Sequence, residues 1–514
     1  MARPSSHKSN QVVLDEEIAI ADIGPVYGGG TRDVELSAGH GVFAKIQQYV
    51  ARIGVEKRGI ERVPDTLDER TDRSMIKVAT MWTSSAMAVA CFAVGTTAQP
   101  VFGLGFLDSV LVLFFFNVLG VLPTAFLSTF GPAFGLRQLV LSRFFFGWHG
   151  VKIYAFLNVL TCVGWSTVFI VLGGQLFHTI NSDIPGWAGM LVIAFATLVP
   201  GLFGYKAVLA YQQWAWIPML IVYLIVLGEF ARSGEFDPLL PMNSGPAEAG
   251  AVLSFGSTVF SVASSLCTYA SDYTTYQPST ISRRRLFAWS FGGMIVPLLF
   301  LQTLGAAIGT ATTRSADFAR AWEEAGAGGL LGQVLIRLGG FGTFCLVLLA
   351  IGIVANNCPN VYSVSFGIQL FAPNSTGRVP RFLWTLLGVC IAIGLAVPAY
   401  DNFAPWLENF LVTTAYWFAI YQGIAFTEHF IFRRGFDGYQ PSDYDSPDKL
   451  PVGWAASAAF VFGVAGCVLG MTQLWWTGPV GRLAGGDLGF ELAFGFSALS
   501  YVILRYFELN RVGR

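Results

Sequence analysis

Three amides on one turn carry the densest chemistry in the sequence: Asn356, Asn357 and Asn360, with Cys358 and Pro359 between them. Spacings of three and four residues place them on one face of a helix. Pro359 has no N–H, so it frees the carbonyl of Ala355 one turn back. Neutral amides both donate and accept hydrogen bonds. Grouped in this way they suit a planar heterocycle that alternates N–H and C=O groups, or else they join neighbouring helices. A second set, Ser261, Ser264, Ser265, Thr268 and Asp272, also falls on one continuous helical face. Small hydroxyl residues allow close packing, but a carboxylate at membrane depth is a functional candidate. Asp272 is expected to close an inner gate, pairing with Arg283 or a neighbouring base, with substrate contact as the alternative. A third set is Thr80, Thr83, Ser84 and Met87, extended by Ser85. Gly95 and Pro100 follow, and a break or kink is expected there. A fourth face holds Asn158, Thr161, Cys162, Trp165 and Phe169, with Gly173, Gly174 and Gln175 beyond. Trp165 beside polar neighbours can stack on a flat ligand. Glu229, Glu408 and Glu428 stand at ends of apolar runs and are expected to be interfacial and solvated, although one of them carrying a coupling proton stays open.

Apolar segments must hold these residues. The 514-residue chain is 54% hydrophobic and 12% charged, against about 25% charged in soluble domains. A bilayer core needs about 20 apolar residues per helix. Twelve spans are expected: 77–101, 106–130, 146–180, 186–204, 207–230, 254–273, 286–310, 332–371, 382–397, 405–432, 453–475 and 488–509. Spans three and eight are both long and lie five apart. Spans one and six both mix small, polar and turn-forming residues. Such a pattern fits two five-helix repeats of opposite orientation, about 75–232 and 252–432, followed by two peripheral helices, about 453–509. Residues 1–74 are mostly polar and read as a cytosolic arm without a cleavable signal peptide; 510–514 read as a cytosolic tail. Lys and Arg concentrate in the even-numbered connections, as in Arg137, Arg143, Lys206, Arg283, Arg284, Arg285, Arg378, Arg381, Arg433, Arg434 and Lys449. The odd ones hold Arg232, Arg314, Arg320 and Arg482. That imbalance places both termini in the cytoplasm, and the sequon Asn374-Ser375-Thr376 with them.

Other function classes find little support. Net charge is −1, with no basic tail or groove for nucleic acid. The seven cysteines, Cys91, Cys162, Cys267, Cys345, Cys358, Cys390 and Cys467, lie in hydrophobic stretches without a C-x-x-C pair, so packing explains them better than a disulfide framework or zinc. No G-x-S-x-G, H-E-x-x-H or G-x-x-x-x-G-K-[ST] motif occurs. His149 and His178 flank span three and read as interfacial. An enzyme is not expected, nor a metal or cofactor.

The motifs resemble those of fungal purine–cytosine permeases, in the first nucleobase–cation symporter family. Gly59-Ile60-Glu61-Arg62-Val63-Pro64 with Glu69-Arg70-Thr71-Asp72 resembles the segment before their first helix. Gly164-Trp165-Ser166 with Gly173-Gly174-Gln175 is similar to their third helix. Tyr269-Ala270-Ser271-Asp272-Tyr273-Thr274 is similar to their sixth, and Asn356 to Ser363 to their eighth. The resemblance implies an all-α integral membrane protein with a leucine-transporter-like fold, two inverted five-helix repeats plus two peripheral helices. It implies a multi-pass plasma-membrane transporter importing a nucleobase by proton symport, the proton being the coupling ion. Carried over, Ser84 and Trp165 border the substrate, and Asn356, Asn357 and Asn360 bind or shape the site. Phe169 stands where the family usually has Asn, Leu266 where it usually has Trp, and Thr268 where it has Pro; Ser265 adjoins them. Asp272, Gln175 and Pro359 are candidates for gating or coupling. These departures leave vitamin B6 or another heterocyclic nutrient as an alternative cargo, and a non-transporting nutrient receptor as a remote one. Expected partners are the small heterocycle and membrane lipid, with the oligomeric state open.

Overall fold

In a computed structural model of the protein, the described residues are 61–66, 70, 72–203, 205–240, 244–371, 379 and 381–514. Residues 1–60 of the expected arm, Gly59, Glu69 and Thr71 of the first motif, Arg378 and the sequon Asn374-Ser375-Thr376 lie outside them.

Among the described residues the elements are almost all helices, because a backbone in hydrocarbon must satisfy its own polar groups. In chain order they are α1 (Met75–Ala86), α2 (Val89–Thr96), α3 (Phe106–Ser128), α4 (Arg143–Ile180), α5 (Gly186–Phe203), α6 (Tyr205–Ser233) and α7 (Pro246–Ser264). Then follow α8 (Arg283–Gly309), α9 (Ala316–Leu335), α10 (Gly340–Phe371), α11 (Arg381–Tyr400), α12 (Phe403–Thr427), α13 (Trp454–Gly470) and α14 (Gly489–Val512). A two-stranded hairpin, β1 (Thr472–Gln473) with β2 (Trp476–Thr477), joins α13 to α14.

Among the described residues eight helices are long and apolar enough to cross a membrane, and the bent pair α1–α2, taken as one span, makes nine. Within α5, the run Gly186–Gly201 is apolar but shorter, as is α13; α12 carries more polar residues. Together these segments correspond one for one with the twelve expected spans. Polarity is inverted relative to a soluble helix: in α3 Leu107 and Phe115 are exposed, while Asn117 and Thr124 are fully buried. Apolar side chains face lipid, and polar ones need partners inside.

The contacts repeat with the helices exchanged. α1 and α2 pack on α8, and α3 packs on α7. α4 packs on α11, and α10 packs on α5. α6 meets α1 and α10; α12 meets α7 and α4. Each pairing in the first five spans thus has its counterpart five spans later, the signature of an internal inverted repeat. α4 and α10, the two long central helices, run against each other. α13 and α14 pair outside, touching the rest mainly through α12.

Several expectations need correction. Span one breaks at Met87–Ala88, not at Gly95 or Pro100: Ala88 is extended (φ −106, ψ 144) and α1 and α2 meet at 49°. Gly95 instead permits contact, since a Cβ there would overlap the Gln302 carbonyl of α8. Pro100 falls in the turn after α2. Span eight begins at Gly340; residues 332–335 close α9, and the chain turns at Gly339 with φ 53. The sixth span leaves α-geometry at Ser265 and tightens into a 3₁₀ turn through Tyr269.

Candidate substrate site

The broken part of the first span sits beside the 3₁₀ end of α7. Side-chain hydroxyls take up the local backbone: Thr83 donates to the Gly293 carbonyl at 3.1 Å and Ser85 to that of Met81 at 3.2 Å. Ser265 donates to the Val262 carbonyl at 2.8 Å. α4 and α10 close the other two sides. Between the four lies a narrow central cavity of about 40 Å³. Trp165 and Phe169 give it an aromatic wall, their rings 5.9 Å apart and tilted by 33°. Ser265, Leu266, Tyr269 and Tyr273 come from the end of α7, Ser85 and Ala88 from the break, and Asn356, Pro359 and Asn360 from α10.

The cavity has more polar capacity than the protein uses. Asn356 donates through Nδ2 to the Gly352 carbonyl at 3.2 Å, but its Oδ1 is buried without a partner. So are the Trp165 Nε1 and the Gln212 Oε1. Gln212, from α6, approaches Ser85 Oγ with its Nε2 at 3.5 Å. The cavity therefore offers two carbonyl-type acceptors and one N–H donor beside an aromatic face. Leaving each unmet costs about 1–3 kcal/mol, which a ligand of matching polarity recovers.

The sequence-derived candidates divide accordingly. Trp165, Phe169, Ser265, Leu266, Asn356, Pro359 and Asn360 line the cavity. Ser84 is buried and does not; its neighbour Ser85 does. Thr268 is turned aside and donates to Asn158 Oδ1 at 2.7 Å, bridging to α4. Asn357 is buried outside the lining, its amide atoms unpaired among the described residues. Gln175 lies ten residues, nearly three turns, beyond Trp165 on α4, toward the end opposite Arg137.

Asp272 stands at the Arg137 end of the molecule. Its partner there is not Arg283, which stacks over the Phe436 ring at 4.3 Å. Asp272 Oδ1 accepts from the Gln138 backbone N–H at 2.6 Å, and Oδ2 is 4.0 Å from the Arg137 guanidinium. Arg137 also donates to the Tyr362 hydroxyl at 3.2 Å and sits 4.6 Å over the Phe366 ring. The cluster pins together the α3–α4 connection, the segment after α7, and α10. Glu428 departs from its expected solvated position. It is fully buried and takes Arg505 of α14 at 3.1 Å and Arg433 at 2.9 Å.

Gln212, Arg137 and the Tyr269–Tyr273 ring pair were not among the sequence-derived site residues. The Gln212-Gln213 pair inside an apolar run is the signal that points to α6.

Known proteins share this architecture. The nucleobase-cation-symport-1 family transporter Mhp1, in a closed conformation with bromovinylhydantoin bound, superposes with a TM-score of 0.65 at 16% identity, over 87% of this chain and 95% of that one. The overall fold is accordingly the leucine-transporter-like one. Purine-cytosine permease fcyB of Emericella nidulans is 49% identical over 93% of both chains. Purine-cytosine permease FCY2 of Saccharomyces cerevisiae is 39% identical over 91% of this chain and 89% of its own. Residues 63–491 match the profile described as "Permease for cytosine/purines, uracil, thiamine, allantoin". Broken first and sixth spans around a cavity of unmet polar groups, on this fold and with these relatives, place the chain in that permease family as a multi-pass membrane transporter.

Proposed function

We propose that the protein imports a neutral nucleobase, cytosine or a purine, across the plasma membrane together with a proton, with both termini cytoplasmic. One observation carries the reading: two acceptors, Asn356 Oδ1 and Gln212 Oε1, and one donor, Trp165 Nε1, are buried, unpaired and grouped beside an aromatic face. A nucleobase presents N–H and ring C=O or N groups along its edge and a flat π surface, and so complements both. The relatives' printed names agree with this class of cargo. Discrimination follows from the same atoms, because a site built to pair N–H groups rejects ligands that leave it unpaired.

In the mechanism, the Arg137–Asp272–Tyr362 cluster is the inner closure. Substrate held by α10 and the broken spans stabilises the occluded state, and the cluster parts as α1 and the end of α7 swing. A coupled proton adds to the same equilibrium through its own difference in affinity between states. Uptake of radiolabelled cytosine in a permease-deficient yeast tests the proposal, with purines, uracil, allantoin and pyridoxine as competitors. Saturable uptake, competed by purines and collapsed by a protonophore, is expected. Accumulation indifferent to the proton gradient removes the coupling, and competition by pyridoxine alone replaces the cargo.

A further inference from the structure

A second cavity, of about 340 Å³, lies at the Gln175 end of α4. It stacks on the central one along shared elements: Ala90 and Cys91 of α2 line the inner cavity, Ala93 and Thr97 the outer. Its wall carries three carboxylates, Glu323 and Glu324 of α9 and Asp401 before α12, and among the described residues no Lys, Arg or His lines it. Acids alone would be a solvated rim. The second observation is Gln175, which lines this cavity, is 3% exposed, and holds its Oε1 without a partner. The backbone opposite keeps that amide clear. Gly326 interrupts α9 with φ 51, and a Cβ there would come within 3.2 Å of Gln175 Nε2 and 3.3 Å of Oε1.

Every charge that lines the chamber among the described residues is therefore negative, and the buried Gln175 amide beside it keeps an unpaired carbonyl oxygen. We propose that the chamber is a pre-binding site that takes a neutral heterocycle by its N–H groups and turns anionic heterocycles away before the central cavity. The inference rests on the nucleobase reading above, with this end as the outward one. Like-charge fields focused in a cleft change local ligand concentration by about tenfold or more, and salt weakens them over about 10 Å at 0.1 M.

The test compares cytosine uptake and its inhibition by urate, an anionic purine, in cells expressing the full chain. In the triple variant E323Q/E324Q/D401N, the urate concentration for half-inhibition should fall by about tenfold relative to the KM for cytosine. In the unaltered protein, raising ionic strength should move urate inhibition the same way, a readout independent of any variant's folding. Gln175→Leu should raise the KM for cytosine with a smaller change in Vmax. Urate inhibition unmoved by the triple variant and by salt, or an unchanged KM in Gln175→Leu, overturns the inference. A wild-type chain that takes up no nucleobase sinks the central-site reading, whereas normal transport with unaltered selectivity in these variants sinks this one alone.

Discussion

Asn356 shows what a single residue contributes. Its Nδ2 is spent on its own helix and its Oδ1 is buried without a partner in a residue that lines the cavity, so the side chain is half structural and half available. Asn360 leans on the Asn356 carbonyl at 3.5 Å, a weak hold that leaves its amide free to re-pair. Gln212→Leu removes an acceptor of similar volume. It should cost about 1–3 kcal/mol of substrate binding, a KM higher by about 5- to 150-fold. Asn360→Ala should abolish or greatly weaken uptake while surface expression persists. Kinetic constants together with surface labelling check both, and normal kinetics in either variant would remove that side chain from the site. The amide turn was legible because its residues are contiguous and helical spacing alone gathers them. Ser84 was carried over from the family resemblance, whereas the lining residue is its neighbour Ser85. Gln212 escaped notice because α6 offers no periodic polar face, only a pair of glutamines among apolar neighbours.

The decisive element is the divided first span. Its bend lies at Met87–Ala88, where neither Gly nor Pro stands, so no local breaker announces it. Tertiary contacts set it instead. α2 lies against α8 with almost no space between backbones: a Cβ on Gly95 would strike the Gln302 carbonyl, and one on Gly305 the Phe92 carbonyl. Asn117 of α3 reaches Gln302 Oε1 at 2.5 Å and ties a third helix to this seam. Once α2 is seated so closely, α1 continues on its own line, also against α8, and the chain bends between them. Gly95→Leu should therefore push α2 off α8 and lose both surface expression and uptake, whereas Gly292→Ala, with open space around it in the same α8, should keep both. Quantifying surface protein in the two variants decides; full expression of Gly95→Leu would show that the seam tolerates a side chain. Helix number and length were legible because apolar runs of membrane length are a local property. The bend was not, since it depends on a partner some two hundred residues away in sequence.

At the scale of the whole molecule, the swapped contacts of the two halves explain how twelve segments make one passage. Local patterns in the sequence hold the repeat only as matched positions, spans three and eight or one and six, while the pairings themselves appear in three dimensions. Glu428 belongs to the same lesson. Its position at a helix end suggests a wet carboxylate, yet Arg505, 77 residues later, reaches it inside the protein, along with the Tyr501 hydroxyl at 3.1 Å. Removing one partner from a buried pair costs about 3–5 kcal/mol. Arg505→Ala should lower the thermal stability of the purified protein and its surface level, and Glu428→Gln in the same chain should recover part of the loss. Equal stability of Arg505→Ala and wild type in detergent would dismiss the pair. The pairing also bears on biogenesis. Synthesis delivers α12 to the bilayer well before α14, so for that interval Glu428 has no guanidinium from α14 to meet it. Until then Arg433, five residues on, is the guanidinium at hand, and the arrival of α14 adds the second and completes the burial of the carboxylate.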